Sequence, residues 1–200
     1  MNKSYSQLRN IAWNALKGHW AEAVMAFVLY VVLATLAAST VLGAVFVVLP
    51  LAFGFAIAML KFLRGDFRAV DNLFAGFKSY GRSLGAVFMV KLYTFLWSLL
   101  FIIPGLIKDY AYSMTYFILE DDPQLSIDDA IEKSKVMMDG HKWELFVLDL
   151  SFIGWYCLVL LTVGIAALWV TPYILAAHAA FYEEIKDTVV EVGHEDSTAL

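Results

Sequence analysis

Three long stretches of this sequence are almost free of charged residues, and they constrain the fold more than any other feature. The first, Ala23 to Leu60, has 38 residues without an Asp, Glu, Lys or Arg. The second, Ser83 to Leu119, has three charges in 37 residues, and the third, Leu145 to Tyr182, has one in 38. A helix crosses the hydrocarbon core of a bilayer with about 20 residues, so each stretch is long enough for two crossings. The sequence therefore predicts an all-α, polytopic membrane protein with six transmembrane helices in three hairpins.

The composition excludes an ordinary soluble domain and offers no recognisable active site. Charged residues make up 16% of the chain and hydrophobic residues 61%, whereas about a quarter of the residues of a soluble domain are charged. The sequence has no phosphate-binding loop, no dinucleotide fingerprint, no HExxH and no paired CxxC. We therefore predict no catalytic residue, no cofactor, no metal ligand and no nucleic-acid partner.

Each apolar stretch follows a short amphipathic segment that ends at a glycine, which indicates one unit used three times. The three glycines lie 63 and 59 residues apart and are Gly18, Gly81 and Gly140. Suitable N-caps precede the segments: Ser4 or Ser6, then Asp71, then Ser126 in a capping-box pattern with Asp129. Repetition of this kind is typical of one supersecondary unit. We predict a single membrane domain over residues 1–186 with units at about 4–63, 68–119 and 126–184, each opened by a cytoplasmic amphipathic helix.

Prolines mark the hairpins, one in each, and the middle hairpin differs from the others. Pro50 and Pro172 fall early in the second helix of the first and third hairpins, whereas Pro104 falls at the turn of the second. Residues 108–119 are more polar than the matching parts of the other units, and the sequence leaves open whether they cross the membrane. Residues 187–200 are acidic and are predicted to be a disordered tail.

The distribution of Lys and Arg predicts the orientation. Twelve of the fourteen lie in the termini or in the segments between the apolar stretches, so the positive-inside rule places both termini in the cytoplasm. Residues 1–82 carry eight bases and three acids, which favours contact with anionic lipids. Residues 120–139 carry seven acids and two bases. This acidic segment either docks on the basic segments, binds a cytoplasmic protein or stays independently solvated.

Three ionisable residues inside the apolar stretches are the candidate polar site: Lys91, Asp149 and His178. An ionisable group within a span is costly and often functional. Lys91 and Asp149 lie at similar distances from their unit glycines, so a mutual ion pair can be expected. The site then has two interpretations. It is either a coupling site for protons or ions in a small transporter or channel, or a set of structural contacts in which Lys91 reaches the headgroups and the other two bond neighbouring helices.

The segment Gly81 to Gly85, "GRSLG", matches the G-x-S-x-G pattern of a nucleophilic serine and would make Ser83 that nucleophile. A strand-to-helix turn and an aligned base are needed for this chemistry, and a helix entering a membrane offers neither. A lipid-acting enzyme would need Ser83, His19 or His141 and a carboxylate within hydrogen-bond reach. Small residues for close helix packing explain the pattern better.

The segments "LWSLLFIIPGLIKDYAYSMTYFILEDDP", "SIDDAIEKSKVMMDGHKWELFVLDLSFIGW" and "LTVGIAALWVTPYILAAHAAFYEEI" resemble a bacterial family of integral membrane proteins known as domain of unknown function 975. The likeness extends from the N-terminal helix to about Lys186 and is most specific between Ser126 and Tyr182. It implies a multi-pass protein of the bacterial inner membrane and supplies no activity, substrate or catalytic residue. A more distant likeness is to membrane domains attached to some glycerophosphodiester phosphodiesterases.

Taken together, these features favour a non-enzymatic role, as a scaffold or accessory subunit that affects membrane organisation or a transport system. The bilayer itself, with its anionic lipids, is one expected partner, and a membrane or cytoplasmic protein is another. The small transporter is the alternative, and the lipid-acting enzyme is a remote one.

Overall fold

A computed structural model describes residues 4–100 and 102–195, which form helices and no strand. Thirteen α-helices follow one another in the described part of the chain, and a π-helical turn at Ala44–Val48 leads into the fourth. Their bounds are α1 Tyr5–Leu16, α2 Trp20–Ala38, α3 Val41–Gly43, α4 Leu49–Leu63, α5 Ala69–Leu73, α6 Ala75–Lys78, α7 Tyr80–Leu100, α8 Ile102–Tyr112, α9 Thr115–Asp121, α10 Ile127–Met137, α11 Lys142–Leu150, α12 Ile153–Leu161 and α13 Ala167–Glu195.

Two of the predicted amphipathic helices begin at the predicted caps. At α1, the hydroxyl of Ser4 accepts a hydrogen bond from the Gln7 amide, and the Gln7 side chain accepts one from the Ser4 amide, so the capping box is complete. At α10, the Ser126 hydroxyl accepts from the Asp129 amide at 3.1 Å and donates to the Asp129 carboxylate at 2.6 Å. Each cap satisfies a helical N–H that would otherwise lack a partner.

The first hairpin, α2 and α4, supplies the central helix of the fold. Residues 53–60 of α4 are all buried, because α1, α5, α7, α9 and α13 pack around them. Pro50 lies where the π-helical turn continues into α4, and the Phe46 carbonyl, four residues earlier, accepts a hydrogen bond from the Tyr80 hydroxyl at 2.9 Å because proline has no N–H to donate. α2 differs, because only 17% of its apolar 18-residue stretch is buried.

The segment before the second apolar stretch differs from its prediction. It forms two short helices, α5 and α6, that pack along α4, and Asp71 lies inside α5 rather than capping it. Two glycines make this contact close: a Cβ on Gly54 would lie 1.8 Å from the carbonyl oxygen of Leu73, and one on Gly76 would lie 2.1 Å from that of Pro50. Only glycine permits two backbones to approach so closely.

The middle hairpin pairs α7 with α8. A Cβ on Gly105 would lie 2.1 Å from the hydroxyl oxygen of Ser98, so this glycine sets the distance between the two helices. Pro104 lies in the first turn of α8 rather than in the turn between the helices. Gly81 is the second residue of α7 and does not end an amphipathic helix, unlike Gly18 and Gly140, whose positive φ angles of 90° and 80° separate α1 from α2 and α10 from α11.

The third hairpin is bent. α11 and α12 meet at an angle of 40° across Ser151 and Phe152, and α12 turns into α13 through residues 162–166, where Val163 and Gly164 have positive φ. Pro172 lies inside α13, near its start. α13 continues to Glu195, so the helix extends beyond the predicted start of the acidic tail at residue 187, and residues 196–200 lie outside the described part of the chain.

Two described helical segments are long and apolar enough to cross a membrane, Trp20–Ala38 and Ala44–Leu63, and the bent pair Lys142–Leu150 and Ile153–Leu161 adds a third if it forms one span. The fold is thus all-helical with two or three candidate membrane spans. The start of α13 lies against α1: the Tyr173 hydroxyl donates to the Arg9 carbonyl at 3.2 Å, and the Trp13 and Tyr173 rings are 5.6 Å apart. The third unit therefore packs against the first through α13 and α1.

Candidate polar site at Asp149

Asp149 lies in the last turn of α11, next to the bend of the third hairpin. α11 ends at Leu150, where the Ser151 amide donates to the carbonyls of Val147 and Leu148, at 3.0 and 3.1 Å, and the chain then restarts as α12. Arg9 of α1 completes this helix end, since its guanidinium donates to the Ser151 carbonyl at 2.9 Å. A cation at a helix C-terminus is favourable because the unpaired carbonyls there carry partial negative charge.

Two other helices deliver the partners of Asp149. His178 of α13 places Nε2 2.6 Å from Oδ1, and the Tyr110 hydroxyl of α8 donates to Oδ2 at 3.0 Å. Both carboxylate oxygens are therefore bonded. The side chains of Asp149 and His178 are only 22% and 23% exposed, and the Phe146 ring packs edge-on against Tyr110. The cluster joins α8, α11 and α13 through groups whose hydrogen bonds are strengthened by their apolar surroundings.

Lys91 does not belong to this cluster, so the expected ion pair between Lys91 and Asp149 is not formed. Lys91 Nζ lies 3.6 Å from Asp109 Oδ1 across the middle hairpin, and the two side chains are 63% and 50% exposed. The sequence thus singled out Asp149 and His178, which meet, and Lys91, which lies elsewhere. The sequence did not single out Tyr110, because nothing in it indicates which residue a tyrosine of α8 will bond.

A pocket of about 350 Å³ opens beside His178. Its walls come from α2, α4, α12 and α13 and are mostly apolar, with the hydroxyl-bearing residues Tyr30, Tyr156 and Thr171 among them. His178 is the wall residue that also bonds Asp149. The cluster is therefore reachable from the pocket through the imidazole ring.

The residues of the hydrolase interpretation lie apart from one another. Ser83 is fully buried, and its hydroxyl donates to the Gly76 carbonyl and lies 3.1 Å from that of Tyr80. His141 contacts Glu144 of its own helix end at 2.6 Å, and His19 stacks on Phe67 with ring centroids 3.7 Å apart. Within the described residues, no base is bonded to Ser83, so its hydroxyl supports the contact between α6 and α7.

A second polar cluster connects the ends of α4 and α9 with the middle of α13 and was not predicted. Arg64 donates to both carboxylate oxygens of Asp121, at 2.6 and 2.8 Å, and to Glu183 at 2.7 Å. Lys61 pairs with Glu120 at 2.7 Å. The beginning of the acidic segment 120–139 therefore docks on basic residues, which is one of the three alternatives that the sequence left open.

Ionisation strengthens this second cluster. The hydrogen bond to Asp121 raises the pKa of Arg64 above its ordinary value, in spite of partial burial, and Glu183 adds to the rise. Burial acts to raise the pKa of Asp121, but hydrogen bonds from Arg64 and Tyr182 and the charges of Arg64 and Lys186 outweigh it, so the pKa is lowered. Both groups are thus held in their charged forms.

The described residues contain no group of three or more His, Cys, Asp or Glu side chains arranged to hold a metal ion. The Asp149 cluster offers one carboxylate, one imidazole and one phenol. This set can bind or pass a proton, and it supplies no nucleophile with an aligned base.

One comparison with known proteins bears on the resemblance drawn from the sequence, and it does so over part of the chain. No curated protein and no solved structure matches the chain. The family model described as "Protein of unknown function (DUF975)" matches residues 99–188, a range that includes Tyr110, Asp149 and His178 and begins after Lys91. Over these residues the chain carries the sequence pattern of that family, and the resemblance to it is confirmed.

Proposed function

We propose that this chain is a non-enzymatic integral membrane protein that serves as a scaffold or accessory subunit, affecting membrane organisation or a transport system. The observation that supports this function best is that the polar side chains of its candidate sites form hydrogen bonds to other groups of the protein. Asp149 is bonded by two side chains, Ser83 by backbone carbonyls, and Arg64 bonds two carboxylates. Side chains bonded in this way stabilise the packing of helices and are not left available to a substrate.

The outer surface suits contact with lipid chains or with the helices of a partner. Most of α2 faces outward, and at the end of α12 the side chains of Leu160 and Leu161 are 79% and 81% exposed. Apolar surface of this extent is unfavourable in water and favourable in a bilayer. We assign the protein to the bacterial inner membrane as a multi-pass protein with both termini in the cytoplasm, where its basic segments meet anionic headgroups.

The first hairpin is the part of the chain that we assign most directly as membrane-spanning. α2 has 19 residues and the segment 44–63 has 20, and at 1.5 Å a residue each is about as long as the hydrocarbon core is thick. The six-span arrangement expected from the sequence additionally requires the middle and third hairpins to cross.

A small transporter or channel is the second candidate, and one observation favours it. The Asp149 and His178 pair lies at a bent helix and beside a pocket, which is how transporters place ionisable groups near discontinuous helices. In this alternative, protonation of the pair would accompany movement of an ion or small molecule.

Flux measurements in liposomes separate the two candidates. The purified protein is reconstituted as wild type, Asp149→Asn, His178→Gln and Lys91→Ala, and the flux of protons, monovalent cations and small amines is recorded. Because Lys91 lies outside the cluster, Lys91→Ala is the matched control. Flux at the level of empty liposomes in all four preparations supports the accessory role. Flux that is lost in the first two variants and kept in Lys91→Ala overturns it in favour of the transporter.

A further inference from the structure

The middle hairpin has charged residues part-way along both of its helices. Lys91 lies in the middle of α7, Lys108 and Asp109 lie in the middle of α8, and the Lys91 and Asp109 side chains are at least half exposed. Between them, residues 92–107 contain no charge. The charged positions therefore divide the hairpin into a base and an uncharged tip.

The tip is apolar on its outside and short. Phe95 is 61% exposed, Leu96 47% and Leu106 56%. From residue 92 to the end of α7 at Leu100 the helix is about 14 Å long at 1.5 Å a residue, roughly half of a hydrocarbon core of about 30 Å. The tip is thus long enough for one leaflet and too short for the whole bilayer.

A polar helix packs beside the hairpin at the level of the charges. Ile131 of α10 packs on Val90 and Tyr112, and the Ser134 hydroxyl donates to the Ala111 carbonyl at 2.8 Å. The other face of α10 exposes Asp128, Glu132 and Lys133. These groups need water or headgroups around them, so the level of Lys91 and Asp109 is the level of the membrane surface.

Aromatic and basic side chains also gather between this level and the part of the tip that contains Trp97. The Lys108 ammonium lies 4.7 Å from the centre of the Trp97 ring, and the two residues line a pocket of about 390 Å³ together with Tyr93, Tyr112, Glu132 and Lys135. Tryptophan, tyrosine and lysine are the residues that membrane proteins place at the boundary between hydrocarbon and headgroups.

From this arrangement we infer that the α7–α8 hairpin does not cross the membrane and that it inserts the described part of its tip, residues 92–100 and 102–107, into a single phospholipid leaflet. Lys91, Lys108 and Asp109 stop the insertion at the headgroups, and α10 lies on the same surface. If the hairpin crossed, the exposed Lys91 and Asp109 side chains would have to lie near the middle of the hydrocarbon, where charges are strongly unfavourable. This inference rests on the proposed membrane function and specifies how one part of the chain meets the lipid.

Cysteine labelling tests the inference in the full-length chain. The free cysteine, Cys157, is exposed and is first replaced by serine. Single cysteines are then introduced at the exposed positions Phe88, one turn before Lys91 in α7, Leu96 and Glu132, as Phe88→Cys, Leu96→Cys and Glu132→Cys, so that Lys91 itself is kept. A membrane-impermeant maleimide is applied to intact cells and to inside-out vesicles, and only variants that elute as the wild-type protein does are compared.

We expect the cysteines at 88 and 132 to react from the same side of the membrane and the cysteine at 96 to react from neither side until detergent is added. The inference is overturned if position 88 reacts only in detergent, if positions 88 and 132 react from opposite sides, or if position 96 reacts from either side. Two further variants report separately on the proposed function: Ser39→Cys at the turn of the first hairpin and Arg68→Cys beyond its base. Reaction from opposite sides supports the crossing of that hairpin, and reaction from one side refutes it whatever the middle hairpin does.

Discussion

Replacing Gly54 by alanine should destabilise the protein strongly, because the new methyl group has no space. Its Cβ would lie 1.8 Å from the Leu73 carbonyl oxygen, and ordinary contact begins at 3.4 Å. The obstacle is backbone of α5, which cannot rotate away as a side chain can. The segment α5–α6 would have to move by roughly 1.6 Å, and forcing extra volume into a packed site costs about 1–3 kcal/mol or more.

Gly154→Ala is the matched control for this prediction. Gly154 lies in the first turn of α12, and an added Cβ would have no heavy atom within 4 Å. Alanine there removes backbone freedom from the unfolded chain without a clash and should raise the free energy of unfolding by about 0.5–1 kcal/mol.

Thermal unfolding in detergent measures both variants. In a chain of this size each kcal/mol changes the unfolding temperature by about 2–4 °C. Gly54→Ala should therefore unfold several degrees below the wild type, and Gly154→Ala at or slightly above it. Equal unfolding temperatures for the two variants would refute the close packing of α5 on α4.

Three further outcomes follow from the polar contacts. Arg64→Ala should lower the free energy of unfolding by about 1 kcal/mol, a modest figure because the side chain is 34% exposed. Chemical denaturation measures this change, and a value equal to that of the wild type would contradict a structural role for Arg64. Asp149→Asn should lower the free energy of unfolding by about 1–3 kcal/mol because it weakens the contact with His178. Lys91→Ala should change the free energy of unfolding by no more than about 0.5 kcal/mol. The reverse order would exclude the Asp149 cluster as a structural centre. Hydrogen bonds from Arg68 and Asn72 lower the pKa of Asp66 in the folded protein. The ionised carboxylate therefore contributes fully to the free energy of unfolding above the unfolded pKa of about 3.9, and this contribution is lost as the pH falls through the lower folded pKa. In Asp66→Asn the loss of stability at acid pH should be shallower than in the wild type, and an unchanged slope would disprove the linkage.

Local signals in the sequence predicted the helices that depend on local chemistry. Ser4 and Ser126 begin α1 and α10 because a capping hydroxyl acts on amides two or three residues away. The first hairpin was predicted because its length and lack of charge leave few alternatives. Gly18 and Gly140 end helices with positive φ, where glycine is favoured.

Contacts between distant parts of the chain were not predictable in the same way. Lys91 has Asp109 as its partner because of how α7 and α8 align in their hairpin, and the sequence gives no alignment. Arg64 stands at a helix end like several other basic residues, and its partners depend on where α9 and α13 arrive. The sequence marked Asp149 and His178 as unusual in apolar surroundings, whereas only the arrangement of α8, α11 and α13 brings them together with Tyr110.

The bond between Arg9 and Ser151 joins positions separated by 142 residues and imposes an order on biosynthesis. α1 leaves the ribosome well before α13 and the C-terminal end of α11, which bond the carbonyl and the side chain of Arg9. Until then the apolar face of α1, with Leu8, Ala12 and Leu16, lacks most of its native cover. We therefore expect lipid or a chaperone to cover α1 during translation, and we expect α1 to gain its native contacts only once α13 has been made.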